Sequence, residues 1–193
     1  MKRSRSAQPP ERLKALADQA FDYARHMMRT SGSVPPTVIA DTDEGYVFCM
    51  PSNLADEAAK DNFAEVAKKL TVAWNAQALV IVVEAWVKFA RPDGKLDMDI
   101  PPSQSVDRKE VVALMLEDRS RSATSLAPII RDDSEMFASL NAPPPLEFNE
   151  TGGRFAGLMP RHQPSASDAA SAKADLLAMG MDIVNRGFDP TMN

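Results

Sequence analysis

From Ala78 to Ala90 the chain reads ALVIVVEAWVKFA. Its odd positions, Leu79, Ile81, Val83, Ala85, Val87 and Phe89, are all apolar, whereas its even positions run Val80, Val82, Glu84, Trp86 and Lys88. Side chains alternate across a strand, so one face should be core. The other face should begin apolar and end as a Glu-Trp-Lys stripe. An unpaired charge out of water is costly. The strand is therefore expected near the centre of a sheet, with a carboxylate, an indole and an ammonium on its second face.

Elsewhere the period changes to that of a helix. Glu11 to Arg29 places Leu13, Leu16, Ala17, Ala20, Phe21, Ala24, Met27 and Met28 at three- and four-residue spacing, with Glu11 in the first turn and Arg29 in the last. Ser31-Gly-Ser-Val-Pro-Pro36 ends that helix. Thr37–Ala40 and Tyr46–Met50 are short β-prone runs, and Asp41-Thr-Asp-Glu-Gly45 between them predicts a hairpin turn. A second amphipathic helix is expected from Leu54 to Asn75, capped at Ser52-Asn53. Glu110–Leu116 is apolar on both faces, as a central strand should be, and Ala123–Ile130 contains Pro128, which suggests an edge or a strand end. The polar Glu117–Ser122 reads as a second hairpin turn.

Beyond Leu140 the periodicity fades into Pro143-Pro-Pro145, Thr151-Gly-Gly153, Gly157, Pro160 and Pro164. So long a stretch without periodicity reads as a linker or a surface arm, with Phe148, Phe155, Leu158 and Met159 as anchors. Ser167-Asp168 is expected to cap a last helix reaching about Asn185, with Ala172, Leu176, Met179 and Ile183 on its stripe and Gly187 just past its end.

These elements predict an α+β fold, a mainly antiparallel five-stranded sheet with flanking helices, in the order α-β-β-α-β-β-β, then an irregular arm and a C-terminal helix. The expected division is a disordered basic lead over 1–10, one domain over 11–140, the arm over 141–166 and the helix over 167–187. A helical crossover between a two-strand hairpin and a three-strand meander resembles roadblock and profilin-like domains. The resemblance is one of element order and implies a fold only.

Composition adds bounds. The 193 residues are 44% apolar and 25% charged, as in an ordinary globular chain, with a formal net charge of −5. Lys2, Arg3 and Arg5 make the start basic, which leaves a minor nucleic-acid contact open. Cys49 is the only cysteine, so no internal disulfide can form and a cytoplasmic location is expected. The first residues lack the apolar stretch of a secretory signal, and the longest apolar run is too short to span a bilayer. No membrane association is expected.

Candidate chemistry is sparse. The two histidines, His26 and His162, lie far apart in the chain, and no G-x-S-x-G element accompanies them. Thr151–Gly157 is glycine-rich without a following GK[ST], and one Cys with two distant His makes no zinc motif. The acidic Asp41–Gly45 resembles the start of a calcium loop, but Tyr46 and Ser52 stand where that loop needs Gly and Glu. No metal or cofactor is expected. One catalytic alternative survives: a Mg²⁺-dependent nuclease or phosphoryl-transfer enzyme using Glu84, Lys88, Asp107 and Glu110. Its Glu-to-Lys gap is four residues with Trp86 between, rather than the two of restriction-type nucleases. The preferred expectation is a non-enzymatic interaction module of bacterial or phage type. It would bind another protein, or a second copy of itself, through the sheet face or the arm and last helix. Glu84, Trp86, Lys88, Phe148 and Phe155 are the interface candidates.

Overall fold

The computed structural model describes residues 11–51, 54–89, 99–148 and 153–181. Helix α1 spans Glu11–Ser31, strands β1 and β2 span Thr37–Thr42 and Gly45–Cys49, and helix α2 spans Glu57–Ala73. Strands β3 (Ala78–Val87), β4 (Lys109–Asp118), β5 (Ser122–Arg131), β6 (Phe137–Leu140) and β7 (Glu147–Phe148) follow, and helix α3 closes the order at Ala166–Ala178.

The strands form one antiparallel sheet in the order β2-β1-β3-β4-β5-β6, with β7 also paired to β5. The five expected strands are present, and two short ones extend the sheet to seven. β6 pairs with Ile129–Arg131 and β7 with Ala123–Thr124, so both line the outer edge of β5. Pro128, which has no N–H to give a ladder, falls in the gap between them. Because β1 is antiparallel to both neighbours, β2 and β3 run parallel with β1 between them. A tight turn cannot join parallel strands, and α2 makes that crossover.

The two faces carry separate cores. Ile39, Val80, Val82, Val112, Leu114, Leu116 and Ala127 face α1, which buries Leu13, Leu16, Ala20, Ala24 and Met28 against them. Val38, Ala40, Leu79 and Ile81 face the other way, toward Phe63, Val66, Ala67 and Leu70 of α2. Each large side chain so buried stabilises the fold by roughly 1.5–3 kcal/mol relative to exposure.

Helix boundaries correct the sequence reading at three places. The N-cap of α2 is Asp56, whose carboxylate accepts the Ala59 N–H at 2.7 Å. Ser52 and Asn53 lie outside the described residues. The cap of α3 is Ser165 rather than Ser167: its hydroxyl accepts from Asp168 N–H, and the Asp168 carboxylate accepts the Ser165 N–H in return. That helix also stops at Ala178 instead of near Asn185, because Gly180 takes φ +76°. Gly180 and Met181 then donate back to the carbonyls of Leu177 and Leu176, closing the helix end. Residues 182–187 lie outside the described range, as do the basic start at Lys2, Arg3 and Arg5 and the expected disordered lead over 1–10.

The expected arm is anchored on the body. The Glu117 carboxylate, only 6% exposed, accepts the N–H groups of Gly157 (2.7 Å), Leu158 (2.8 Å) and Met159 (3.2 Å). The Leu158 side chain is buried with the α2 core, and its carbonyl accepts from Thr71 Oγ1 at 3.0 Å. Arg154 bridges Glu57 and Asp61 at 2.5 Å each. α3 then lies along α2, with Ala172 and Leu176 buried and Lys69 paired to Asp175.

Candidate functional site

The stripe of β3 continues the α1 face of the sheet beyond the end of that helix, since Val80 and Val82 on the same side belong to the α1 core. There the chain between α1 and β1 folds over it. Val34, 3% exposed, donates its N–H to Glu84 Oε1 at 2.5 Å, and Glu84 is half-buried beneath. Burial pushes the Glu84 pKa above its ordinary 4.5. The Val34 N–H opposes that push, the nearby Glu110 carboxylate adds to it, and Arg131 opposes it.

Trp86 sits opposite Glu110 in the ladder and keeps 41% of its surface exposed, with the Arg108 guanidinium 4.3 Å from its ring centre. Arg131 donates to the Glu110 carboxylate as a bidentate pair, from Nε and Nη2, at 2.6 Å each. Lys88 donates to the Ile100 carbonyl at 2.5 Å, and Asp107 lies exposed on the loop before β4. Glu84 and Glu110 thus come close together, but each already has a partner. Among the described residues no three His, Cys, Asp or Glu gather as a metal-ligand group. The geometry therefore lends the Mg²⁺ reading no support. Arg108, Arg131 and Val34, which occupy the stripe, were not legible in the sequence, because their contacts cross between elements.

Other candidates are also engaged within the molecule. Phe155 meets Phe63 edge-on at 5.9 Å, and Phe148 is half-buried on β7 with the Arg121 guanidinium 5.8 Å from its ring. Arg12 pairs with Asp41 and lies 3.5 Å from Asp43, placing a cation on the acidic turn that resembled a calcium loop. Cys49 is 4% exposed, and burial pushes its thiol up to about 11, so it is protonated and unreactive at neutral pH.

A further apolar area lies on the α2 side of the sheet, half-buried at its margins. The core under α2 draws its sheet residues from β1, β2 and β3, with Val83 and Met115 at its margin. Beyond that margin the same face continues across β3, β4 and β5 in two apolar rows. One is Val83–Ala113–Leu126 and the other Ala85–Val111–Pro128. The inner residues Val111 and Ala113 are buried, the outer ones are half-buried, and Ile130 beside them is 41% exposed. The alternation on β3 marks its odd face as core, but it does not say that, among the described residues, α2 and α3 pack over only the first half of it.

Among the described residues no helix is long and apolar enough to cross a membrane. No protein-family model, curated protein or solved structure matches this chain, so the resemblance to roadblock and profilin-like domains rests on element order alone.

Proposed function

We propose that this chain is a non-enzymatic protein-binding module, and that its partner lays an amphipathic helix across the apolar rows of β3, β4 and β5. The observation that carries the reading is the pair of rows Val83–Ala113–Leu126 and Ala85–Val111–Pro128, half-buried at their margins beside the area that α2 covers. Three adjacent strands span about 10 Å, close to the diameter of one helix. α2 and α3 already solve the same packing problem next door. The arm and α3 serve less well as docking elements, since Leu158, Ala172 and Leu176 are buried against the molecule's own α2 core. Lys109, one row further on the same face, favours an acidic residue flanking the partner's apolar stripe.

The test is recovery of a partner with the intact protein, followed by native mass spectrometry of the complex. Ile130→Asp and Leu126→Asp should abolish recovery. Leu177→Asp, on the exposed side of α3, should leave it intact. Recovery that survives both sheet substitutions, or a monomer that recovers no protein, overturns the reading. A homodimer that Ile130→Asp dissolves would place a second copy on this face and overturn the heterologous partner.

A further inference from the structure

Helix α1 and the start of the arm face each other across a cavity of 580 Å³. Its floor is Leu114 and Ser125, which are partners in the β4–β5 ladder and are 0% and 3% exposed. One wall is α1, which contributes Ala17 here. The single methyl group of Ala17 leaves space of the kind that Leu13 and Leu16 fill elsewhere in the same core. The other wall is Pro143-Pro-Pro145 and Leu146. Ser125 fixes that wall, since its buried hydroxyl donates to the Pro144 carbonyl at 2.9 Å, and Leu146 packs against the α1 core. The period of α1 sets the rim. Glu11, Lys14 and Asp18 stand three and four residues apart, so they share one stripe of the helix beside Ala17, and all three line the cavity. None of them makes a hydrogen bond or ion pair among the described residues.

The volume falls in the range of roughly 300–1,000 Å³ typical of small-molecule sites, and an apolar floor with a few polar groups at the mouth is their usual form. The polar lining is rich in acceptors. Two carboxylates, Glu11 and Asp18, stand against one ammonium, Lys14. The three prolines have carbonyls and no N–H, and Ser125 has given its only hydrogen to Pro144. A ligand must therefore bring the donors and a positive charge, together with an apolar body thin enough to lie between the proline rings and α1. From this we infer that the cavity binds a small primary amine carrying a flat aromatic ring. The ring would lie against Pro143–Pro145 and Leu114, and the ammonium would lie at the rim near Asp18 and Glu11. Because one wall belongs to the helix and the other to the arm, the ligand would tie the arm to α1. The cavity is on the α1 face of the sheet, opposite the apolar rows proposed for a protein partner, so the two readings stand or fall separately.

Isothermal titration of the full chain with tryptamine, indole-3-propionate and butylamine, at matched ionic strength, tests it, with methyl NMR to locate the binding. Saturable binding of tryptamine is expected, at least about tenfold tighter than that of either other probe, with shifts at the methyl groups of Ala17, Leu114 and Leu146. Asp18→Asn should weaken tryptamine about fivefold, the scale of an ion pair at the solvent edge. It should leave the melting temperature unchanged, because this side chain is exposed and unpaired. Pro145→Ala, at an exposed position of the wall, should weaken tryptamine more than butylamine. No saturable binding of tryptamine, or binding that shifts methyl groups elsewhere and not these, overturns the site. Equal affinity for indole-3-propionate, or affinity indifferent to Asp18→Asn, overturns the cationic ligand. Equal affinity for butylamine overturns the aromatic one.

Discussion

Glu84 and Glu117 lie on neighbouring strands but on opposite faces, and their partners give them different work. Glu117 receives three backbone N–H groups and holds the arm; Glu84 receives one, from Val34, and stays partly desolvated beside another carboxylate. Since the folded-state pKa of Glu84 lies above its ordinary 4.5, the folded state binds its proton more tightly than the unfolded chain does. Its stabilising contribution is present in full below about pH 4.5 and is lost as pH rises through the folded value. Glu84→Gln keeps an oxygen for the Val34 N–H and removes the charge. The difference in melting temperature, variant minus wild type, should therefore rise between about pH 4.5 and 7.5. A difference that falls over that range would show the charge to be stabilising. In the sequence both residues were visible only as acids in strand or turn positions. Glu84 interrupts an apolar alternation, whereas Glu117 reads as part of a polar turn, because its three donors lie some forty residues away.

At the scale of elements, the arm shows why periodicity runs out as evidence. Residues 153–165 have no helical or strand repeat, yet Leu158 is 2% exposed and packs with Phe63, Leu70 and Leu79. A loop held by backbone N–H bonds to a carboxylate and one inserted side chain leaves no pattern in its own sequence. Leu158→Ala should destabilise the protein by about 3 kcal/mol, within the range for buried leucines, as read by urea denaturation. A loss below about 1 kcal/mol would mean that the arm merely rests on the surface. The helix ends make the same point on a smaller scale. Ser165-Ala-Ser-Asp168 contains two serines, and either reads as a cap; the returned bond from Asp168 selects Ser165. Gly180 ends α3 before the apolar stripe of the sequence does, because its left-handed backbone turns two N–H groups back onto the last carbonyls.

Across the whole molecule the helices cover the sheet unequally. α1 spans the middle of one face, while α2, the arm and α3 crowd over β1, β2 and the first half of β3 on the other. β3 and β4 are each paired along their length and lie between the two cores, whereas β6 and β7 are short segments on the outer edge of β5. Native-state hydrogen exchange should follow this arrangement. Amides of Leu79–Val83 and Val112–Leu116 should exchange only through global unfolding, and those of β6 and β7 by local opening, at least about a hundredfold faster. Equal protection along all strands would show that the outer edge opens only with the rest.

The alternating and helical periods in the chain were enough to determine an α+β fold with β3 near the centre of an antiparallel sheet, because burial of one face imposes its period on the residues that make it. Only tertiary structure decided the fate of that strand's other features. Whether Glu84 is open or clasped depends on a loop fifty residues earlier, and whether the odd face is wholly covered depends on where α2 and α3 come to rest. The groove between the arm at Gly157–Arg161 and the β4–β5 turn likewise exists only once those two segments meet. Periodicity records which face of an element is buried; it carries no record of which distant segment does the burying, and the candidate sites of this protein lie where those distant segments meet or stop short.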